Sequence, residues 1–252
     1  MRPPVELVRY YSTLYSRWGP QNWWPAQSRL EVIVGAYLTQ NTNWSNVEKA
    51  IANLRRERVL SVRALREIPL GRLQKLVRPS GYFRQKAKKL KTFVRFLDKN
   101  YSGSLDRMFA QPTGKLREEL LALNGVGPET ADSILLYAGN HPVFVVDAYT
   151  RRLLERHGVI TKKAGYEEIR ALLEQAVTLA APEAFKFEIQ GAEPRHPVSR
   201  MSRASRSELA QHFNEWHALI VRVGNQYCRS TAKCEECPLQ TLLPAAKQSQ
   251  NA

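Results

Sequence analysis

The 252-residue chain lacks long hydrophobic runs and has few cysteines. Its longest uncharged apolar run, Val32–Leu38, is far shorter than the roughly 20 residues of a membrane helix, so we expect no membrane span. The first residues have no apolar signal-peptide core, which favours a cytoplasmic protein. There are only 13 glycines and 14 prolines, while 43% of the residues are hydrophobic. This composition excludes a fibrous or wholly disordered chain.

Acidic residues are also scarce. The chain has 23 of them against 38 lysines and arginines, which gives a formal net charge of +15. Such an excess is typical of proteins that bind polyanions, above all nucleic acid. An unspecialised basic surface would carry the same charge, so composition alone leaves both interpretations open.

The three cysteines are Cys228, Cys234 and Cys237, all close to the C-terminus. An odd and clustered set in a cytoplasmic protein favours a metal or cluster site. A disulfide framework is not expected.

Helical patterns run through almost the whole sequence. Ser28–Glu31 and Ser45–Glu48 match the capping box that begins many helices, and they predict helices over 30–38 and 45–58. The only β-like run, Pro142–Val146, is too short to form a sheet, so the sequence predicts an all-α fold. Further helices are predicted over 61–67, 70–77, 84–98, 115–122, 129–138, 147–157, 165–180 and 207–224.

The segment 185–206 breaks the helical pattern. It contains two prolines and a glycine, and its charged residues are mostly arginines. This composition predicts an irregular insertion between two helices.

The most informative stretch is LNGVGPETAD, residues 123–132. Gly125 and Gly127 flank Val126, and Pro128 suits the first position of a helix. The stretch predicts a helix–hairpin–helix over about 116–138, whose exposed N–H groups and second helix N-terminus can bind a phosphate. A glycine turn between two core helices would have a similar sequence.

Asp147 follows an apolar run and precedes an arginine-rich helix. It is suited to cap that helix. A fixed carboxylate is also suited to stabilise the positive charge that builds on a sugar when an N-glycosidic bond breaks. The two roles are compatible.

Together, LNGVGPETAD and the downstream PVFVVDAYTRRLLERHG resemble the helix–hairpin–helix DNA glycosylases of the endonuclease III superfamily. The resemblance covers about residues 5–240, apart from the insertion, and implies that Asp147 is catalytic. It also implies two helical domains. One is a six-helix barrel over 28–141, and the other combines 1–27 with 142–240.

Glu129 stands where bifunctional relatives carry a lysine that forms a Schiff base with the sugar. A carboxylate cannot form a Schiff base, so we expect a monofunctional glycosylase with little or no lyase activity. Glu129 joins Asp147 as a catalytic candidate, although an acid in the first turn of a helix is favourable without any catalytic role.

The run Trp23-Trp24-Pro25, together with Trp44 and Glu129, resembles a narrower subgroup, the type III 3-methyladenine DNA glycosylases. N3-methylated adenine is cationic, so it would gain cation–π attraction by stacking on tryptophan. Core packing is the alternative role for these aromatic residues. The subgroup also places a lysine in its late C-terminal helix, whereas the matching stretch His217–Ile220 has none.

The residues that follow Pro79 resemble the second loop with which the family contacts DNA. By position, Tyr82 would be the wedge that enters the duplex during base flipping. Gln40 matches the glutamine that fills the space left by the flipped base. Six cations follow the wedge without an acid before Asp98, which suits either phosphate binding or a solvated helix face: Arg84, Lys86, Lys88, Lys89, Lys91 and Arg95.

Many relatives hold a [4Fe–4S] cluster with four cysteines spaced C-x6-C-x2-C-x5-C. Residues 228–237 read C-x5-C-x2-C, and Leu243 stands in place of the fourth cysteine. Three interpretations stay open. The loop binds a cluster with an outside ligand, binds zinc with an added histidine, or holds no metal.

The resemblance thus implies a DNA N-glycosylase of base excision repair that removes alkylated purines such as 3-methyladenine from double-stranded DNA. The resemblance implies a monomer of bacterial type, located in the cytoplasm with the nucleoid. Two alternatives stay open. One is an endonuclease III-like glycosylase and AP lyase for oxidised pyrimidines, and the other is a non-catalytic protein that binds damaged DNA.

Overall fold

The computed structural model of the chain describes residues 4–180 and 193–244. Within these ranges the regular structure consists of helices and one isolated β-bridge between Cys228 and Ala232. The predicted all-α fold is therefore confirmed. None of the helices in the described ranges is long and apolar enough to cross a membrane.

Contacts divide the chain into two compact units, each considered as far as it is described. The central unit is Ala26–His141, and the flanking unit combines Met1–Pro25 with Pro142–Ala252. The central unit contains eight α-helices, which are α2 (Arg29–Thr39), α3 (Trp44–Arg56), α4 (Val62–Glu67), α5 (Leu70–Leu76), α6 (Phe83–Tyr101), α7 (Leu105–Phe109), α8 (Thr113–Leu121) and α9 (Pro128–Ser133), the last continued by a π-helical turn over Ile134–Ala138. The described part of the flanking unit contains α1 (Pro4–Trp18), α10 (Ala148–Arg156), α11 (Tyr166–Thr178) and α12 (Glu208–Gln226).

Helix α2 forms the hydrophobic axis of the central unit, because every residue from Leu30 to Leu38 is buried. It packs against α3, α6, α9 and the π-helical turn. Its N-cap is Ser28, whose side chain accepts a hydrogen bond from the Glu31 N–H at 3.2 Å, as the first capping box predicts. The Glu31 carboxylate instead forms an ion pair with Arg55 at 2.6 Å.

The second predicted capping box, Ser45–Glu48, is wrong, because it does not begin α3. The N-cap of α3 is Asn43, which accepts a hydrogen bond from the Asn46 N–H, so the helix begins at Trp44 and includes Ser45. Helices α1 and α7 were not among the predicted elements.

In the flanking unit, α1 packs against α11 and α12, and α10 packs against α12. The rings of Tyr11 and Trp216 stack with centroids 5.7 Å apart. Gly224 lets α12 approach α10 closely, because a Cβ at this position would lie 2.3 Å from Cδ1 of Tyr149. This close packing fixes α10, and with it Asp147, relative to α12.

Candidate active site

Asp147 is the N-cap of α10 in the flanking unit. It follows the buried run Val143–Val146. Its Oδ1 accepts hydrogen bonds from the backbone N–H and the hydroxyl of Thr150, at 2.8 and 2.9 Å. The cap therefore fixes one carboxylate oxygen and holds the other, Oδ2, in a defined orientation.

His217 on α12 faces this second oxygen. Its Nε2 lies 3.6 Å from Oδ2 of Asp147, and the two side chains are only 5% and 14% exposed. Burial raises the pKa of Asp147, but attraction to His217 and the hydrogen bonds from Thr150 outweigh it, so the pKa lies below its usual value. The carboxylate is therefore ionised at neutral pH. No local sequence pattern connects His217 with Asp147, so this partner was not predicted.

Trp23 and Trp24 are both buried in the flanking unit, with ring centroids 5.2 Å apart. The described part of the predicted insertion, 193–206, contacts them. The Ser199 hydroxyl donates to the Trp24 carbonyl at 3.1 Å, and the His196 ring lies 5.4 Å from that of Trp23. Residues 185–192 lie outside the described residues.

A buried acid of α12 also holds the chain just before this tryptophan pair. The backbone N–H of Gln21 donates to Oε2 of Glu215 at 2.8 Å. Pro25, which follows the pair, is half-buried. The predicted substrate residues Trp23, Trp24 and Pro25 therefore belong to the same unit as Asp147.

In the central unit, α8 and α9 form the predicted hairpin. Arg117 of α8 donates two hydrogen bonds to the fully buried carboxylate of Asp132 on α9, at 2.7 and 3.1 Å. Gly125 adopts φ +81°, a left-handed conformation that favours glycine. The DNA contact predicted for Val126 is not supported, because its side chain is buried and its N–H donates to the Leu123 carbonyl.

Gln40 is tied to this hairpin by its side-chain amide. Its Nε2 donates to the Gly125 carbonyl at 3.0 Å and to the Thr130 hydroxyl at 2.9 Å. Its Oε1 accepts a hydrogen bond from Nζ of Lys89 at 2.6 Å. The residue predicted to fill the space of a flipped base is thus held in one orientation.

The predicted wedge, Tyr82, is 66% exposed and adopts a left-handed backbone conformation with φ +44°. Lys86, in contrast, is not a surface residue, and its predicted DNA contact is wrong. Only 2% of Lys86 is exposed, and its Nζ donates to the carbonyls of Leu38 and Ser80 at 2.9 and 2.6 Å. Lys86 therefore connects the end of α2 to the loop that carries Tyr82.

A cavity of about 960 Å³ lies beside the hairpin, and both Asn124 and Gly125 line it. Most of its charged residues are cations. They are Arg66, Lys88, Lys89, Lys91 and Arg95. Asp98, the one acid that lines it, is engaged by Arg66 through two hydrogen bonds at 2.6 and 2.8 Å. The cavity thus offers a net positive surface next to the predicted phosphate-binding turn.

The other three predicted residues of the central unit lie at helix N-termini, and Gly127 is the N-cap of α9. Trp44 is the first residue of α3 and is half-buried. Glu129 is exposed in the first turn of α9, where its negative charge is favourable.

Cys228, Cys234 and Cys237 line one small cavity of about 20 Å³, together with Leu243 and His157. Residues 4–180 and 193–244 contain no group of three or more ligating side chains placed to hold a metal ion. Burial, together with the two neighbouring thiols, raises the pKa of Cys237 to about 11, which favours the neutral thiol. With three thiols, and Leu243 in the fourth position, the loop does not supply the four thiolates that an iron–sulfur cluster normally binds.

Comparison with known proteins agrees with this architecture. A family model for the HhH-GPD superfamily base excision DNA repair protein matches residues 34–178. The chain therefore belongs to the HhH-GPD superfamily of base excision DNA repair proteins. The class predicted from the sequence, a DNA glycosylase with the helix–hairpin–helix fold, is confirmed at that level.

Two relatives match nearly the whole chain. A protein of Methanocaldococcus jannaschii named a "putative DNA repair glycosylase" is 41% identical over 236 residues, which are 93% of this chain and 94% of that protein. The crystal structure of the H. pylori 3-methyladenine DNA glycosylase bound to 1,N6-ethenoadenine is 28% identical and matches with a TM-score of 0.72, covering 89% of this chain and 98% of that chain. A structure of an endonuclease III–DNA complex, 19% identical with a TM-score of 0.70 and complete coverage of both chains, shares the fold.

Proposed function

We propose that this protein is a monofunctional DNA N-glycosylase that removes alkylated purines, 3-methyladenine in particular, from double-stranded DNA. The observation that carries the proposal is the carboxylate of Asp147, fixed at Oδ1 by Thr150 and facing His217 at Oδ2. When an N-glycosidic bond breaks, positive charge builds on the sugar. A fixed, ionised carboxylate stabilises that charge and orients the attacking water.

The choice of an alkylated purine rests on the chemistry of the base. N3-methylated adenine is a cation and leaves without further protonation, so an aromatic pocket and one carboxylate suffice. The buried pair of Trp23 and Trp24 is suited to such a pocket. The similarity to the H. pylori 3-methyladenine DNA glycosylase supports this choice.

The expectation of little or no lyase activity rests on the residue at the nucleophile position and on two of the amines near the hairpin. Glu129 occupies the position of the Schiff-base lysine. Lys86 is buried against two carbonyls, and Lys89 is bound to Gln40. Neither amine is free to attack a sugar carbon.

In this proposal, the central unit binds the DNA duplex. The exposed ring of Tyr82 is suited to fill the gap that a flipped nucleotide leaves, which offsets part of the unstacking cost. The cationic cavity beside Gly125 is suited to hold phosphates of the flanking DNA.

The test is base release from methylated duplex DNA, with borohydride present to trap any Schiff base. We expect free 3-methyladenine and no trapped adduct, with release lost in Asp147→Asn and strongly reduced in Tyr82→Ala. A trapped adduct on DNA containing thymine glycol, without methylpurine release, would instead favour the endonuclease III-like alternative. Tight binding of methylated DNA without release of any base would favour the non-catalytic alternative.

A further inference from the structure

Asn214 on α12 is fully buried, and neither its Oδ1 nor its Nδ2 has a hydrogen-bond partner among the described residues. Burying an amide without hydrogen bonds costs a few kcal/mol, so such groups are rare in folded proteins and call for an explanation. Asn225, on the same helix, shows the ordinary situation, because its Oδ1 accepts a hydrogen bond from the Tyr149 hydroxyl at 2.7 Å.

The register of α12 places Asn214 close to the candidate catalytic carboxylate. Asn214 precedes His217 by three residues, so the two side chains share one side of the helix. His217 in turn lies 3.6 Å from Asp147. An amide without a partner is therefore found about one helical turn from His217, which faces the candidate catalytic carboxylate.

The contacts between α10 and α12 show on which side of Asp147 this amide lies. Asp147 contacts His217, Tyr149 contacts Asn225, and Arg152 contacts the Cys228 carbonyl. Both helices therefore run in the same direction along their contact. Asn214 precedes His217 and so lies beyond the N-terminus of α10, about 4.5 Å further along the axis of α12. That is the end of α10 that carries Asp147.

Buried aromatic rings pack beside this part of α12. The ring of Phe144 packs edge-on against Phe213 and Trp216, which flank Asn214 on the helix, and also against His217. The neighbouring acid, Glu215, binds the Gln21 N–H and so holds the segment that leads to the tryptophan pair. Aromatic rings beside a buried amide are the residue types that line sites for flat heterocycles.

We propose that Asn214 reads the edge of the flipped base, accepting a hydrogen bond from an exocyclic amine and donating one to the adjacent ring nitrogen. Adenine and its 3-methyl derivative present this donor and acceptor side by side, and asparagine binds such an edge with two hydrogen bonds. The specificity would therefore be for 6-aminopurines. This inference rests on the proposed function and adds the residue that selects the base.

The first experiment measures base selection by Asn214→Leu, which keeps the approximate shape and removes the amide. We expect release of 3-methyladenine from duplex DNA to fall roughly 10- to 100-fold in kcat/KM, as the loss of one bidentate contact implies. On duplex DNA with 1,N6-ethenoadenine, which lacks the amine hydrogens and keeps at most one of the two hydrogen bonds, we expect the same substitution to cause a clearly smaller loss of release. An equal loss on both substrates, or no loss on either, would overturn the inference.

The second experiment separates this inference from the proposed function, because it needs no turnover. Free 3-methyladenine should raise the Tm of the wild type and not that of Asn214→Leu, even if no DNA substrate is cleaved. If the free base raises the Tm of both proteins equally, or of neither, Asn214 does not read it. Failure of the wild type to release any methylpurine would contradict only the proposed function.

The third experiment excludes a purely structural amide. Replacing an unpartnered buried amide by an apolar group removes a desolvation cost, so Asn214→Leu should raise Tm by roughly 2–4 °C. The matched control on the same helix, Asn225→Leu, breaks the hydrogen bond from Tyr149 and should lower Tm. A lower Tm for both variants would show that the Asn214 amide supports the fold, and the inference would fail.

Discussion

Thr150 donates both its backbone N–H and its hydroxyl to the same oxygen of Asp147, at 2.8 and 2.9 Å. This arrangement uses one half of the carboxylate to begin α10 and keeps the other half beside His217. The structural and chemical roles of Asp147 thus fall on different oxygens. They can be separated by substitution, because asparagine caps a helix as well as aspartate but carries no charge.

We expect Asp147→Asn to unfold with a free energy within about 1 kcal/mol of the wild type, while base release falls about 100-fold or more. Asp147→Ala should lose release to a similar extent and also about 0.5–2 kcal/mol of stability, because it removes the cap. Urea unfolding and single-turnover base release measure the two effects. If Asp147→Asn releases the base at the wild-type rate, the carboxylate has no part in the reaction.

His217 should set the acidic limit of activity through its effect on Asp147. Because attraction to His217 helps to lower the pKa of Asp147, His217→Gln should raise that pKa and move the acidic limb of the kcat/KM profile to higher pH. His212→Gln is the matched control, since His212 lies on the same helix but faces Glu208 and Tyr11. An acidic limb at the wild-type pH in His217→Gln would rule out this coupling.

The same pair makes a prediction about stability. A depressed pKa in the folded protein means that the ionised Asp147 contributes stability above the pKa of an unfolded aspartate, and that this contribution is lost as pH falls through the folded pKa. The stability difference between wild type and His217→Gln should therefore shrink as pH is lowered through the acidic range. Urea unfolding of both proteins over this range is the measurement.

Most of the helices could be predicted from local signals, since caps such as Ser28 and Ser61 are used as the sequence indicates. Helix α1 could also have been predicted, because Leu7, Tyr11 and Leu14 are buried at helical spacing. The proximity of His217 to Asp147 could not be predicted from the sequence. It depends on the packing of α12 against α10, which no local sequence pattern indicates.

The charge of Lys86 alone led to a wrong prediction of DNA contact. In the sequence it belongs to a run of six cations, yet it shares the helix face of Leu90, Phe93 and Leu97, all of which are buried. Helical periodicity therefore turns Lys86 inward, while Lys88 and Arg95 stay exposed. The ammonium is accommodated there because two backbone carbonyls accept its hydrogen bonds.

Burial and the nearby charge of Lys89 lower the pKa of Lys86 to about 8, whereas the unfolded value is 10.5. The unfolded chain then binds more protons between these values, so stability attributable to Lys86 rises with pH over this range. We expect the stability of the wild type relative to Lys86→Met to increase across it, by about 3 kcal/mol at most. Urea unfolding on both sides of the range tests this. The control is Lys88→Met, which removes an exposed ammonium. The stability of the wild type relative to Lys88→Met should stay constant over this pH range.

The two hairpin glycines should respond differently to the same substitution. Gly125 has φ +81°, and a Cβ there would lie 2.2 Å from Cε of Lys89, whereas Gly127 has φ −93° and no atom within 4 Å of its Cβ position. Gly125→Ala should therefore cost about 1–2 kcal/mol of stability for the left-handed backbone. It should also push Lys89 away from Gln40 and weaken binding to duplex DNA.

Gly127→Ala should leave stability within about 1 kcal/mol of the wild type, because its conformation suits any residue. If a phosphate approaches the exposed backbone at the N-terminus of α9, the added methyl group obstructs that approach and should weaken duplex binding several-fold. Fluorescence anisotropy with labelled duplex, at one fixed salt concentration, measures both variants on the same scale. Wild-type affinity in a stable Gly127→Ala variant would mean that the hairpin does not bind a phosphate and that the cationic cavity lined by α6 carries the DNA contact alone.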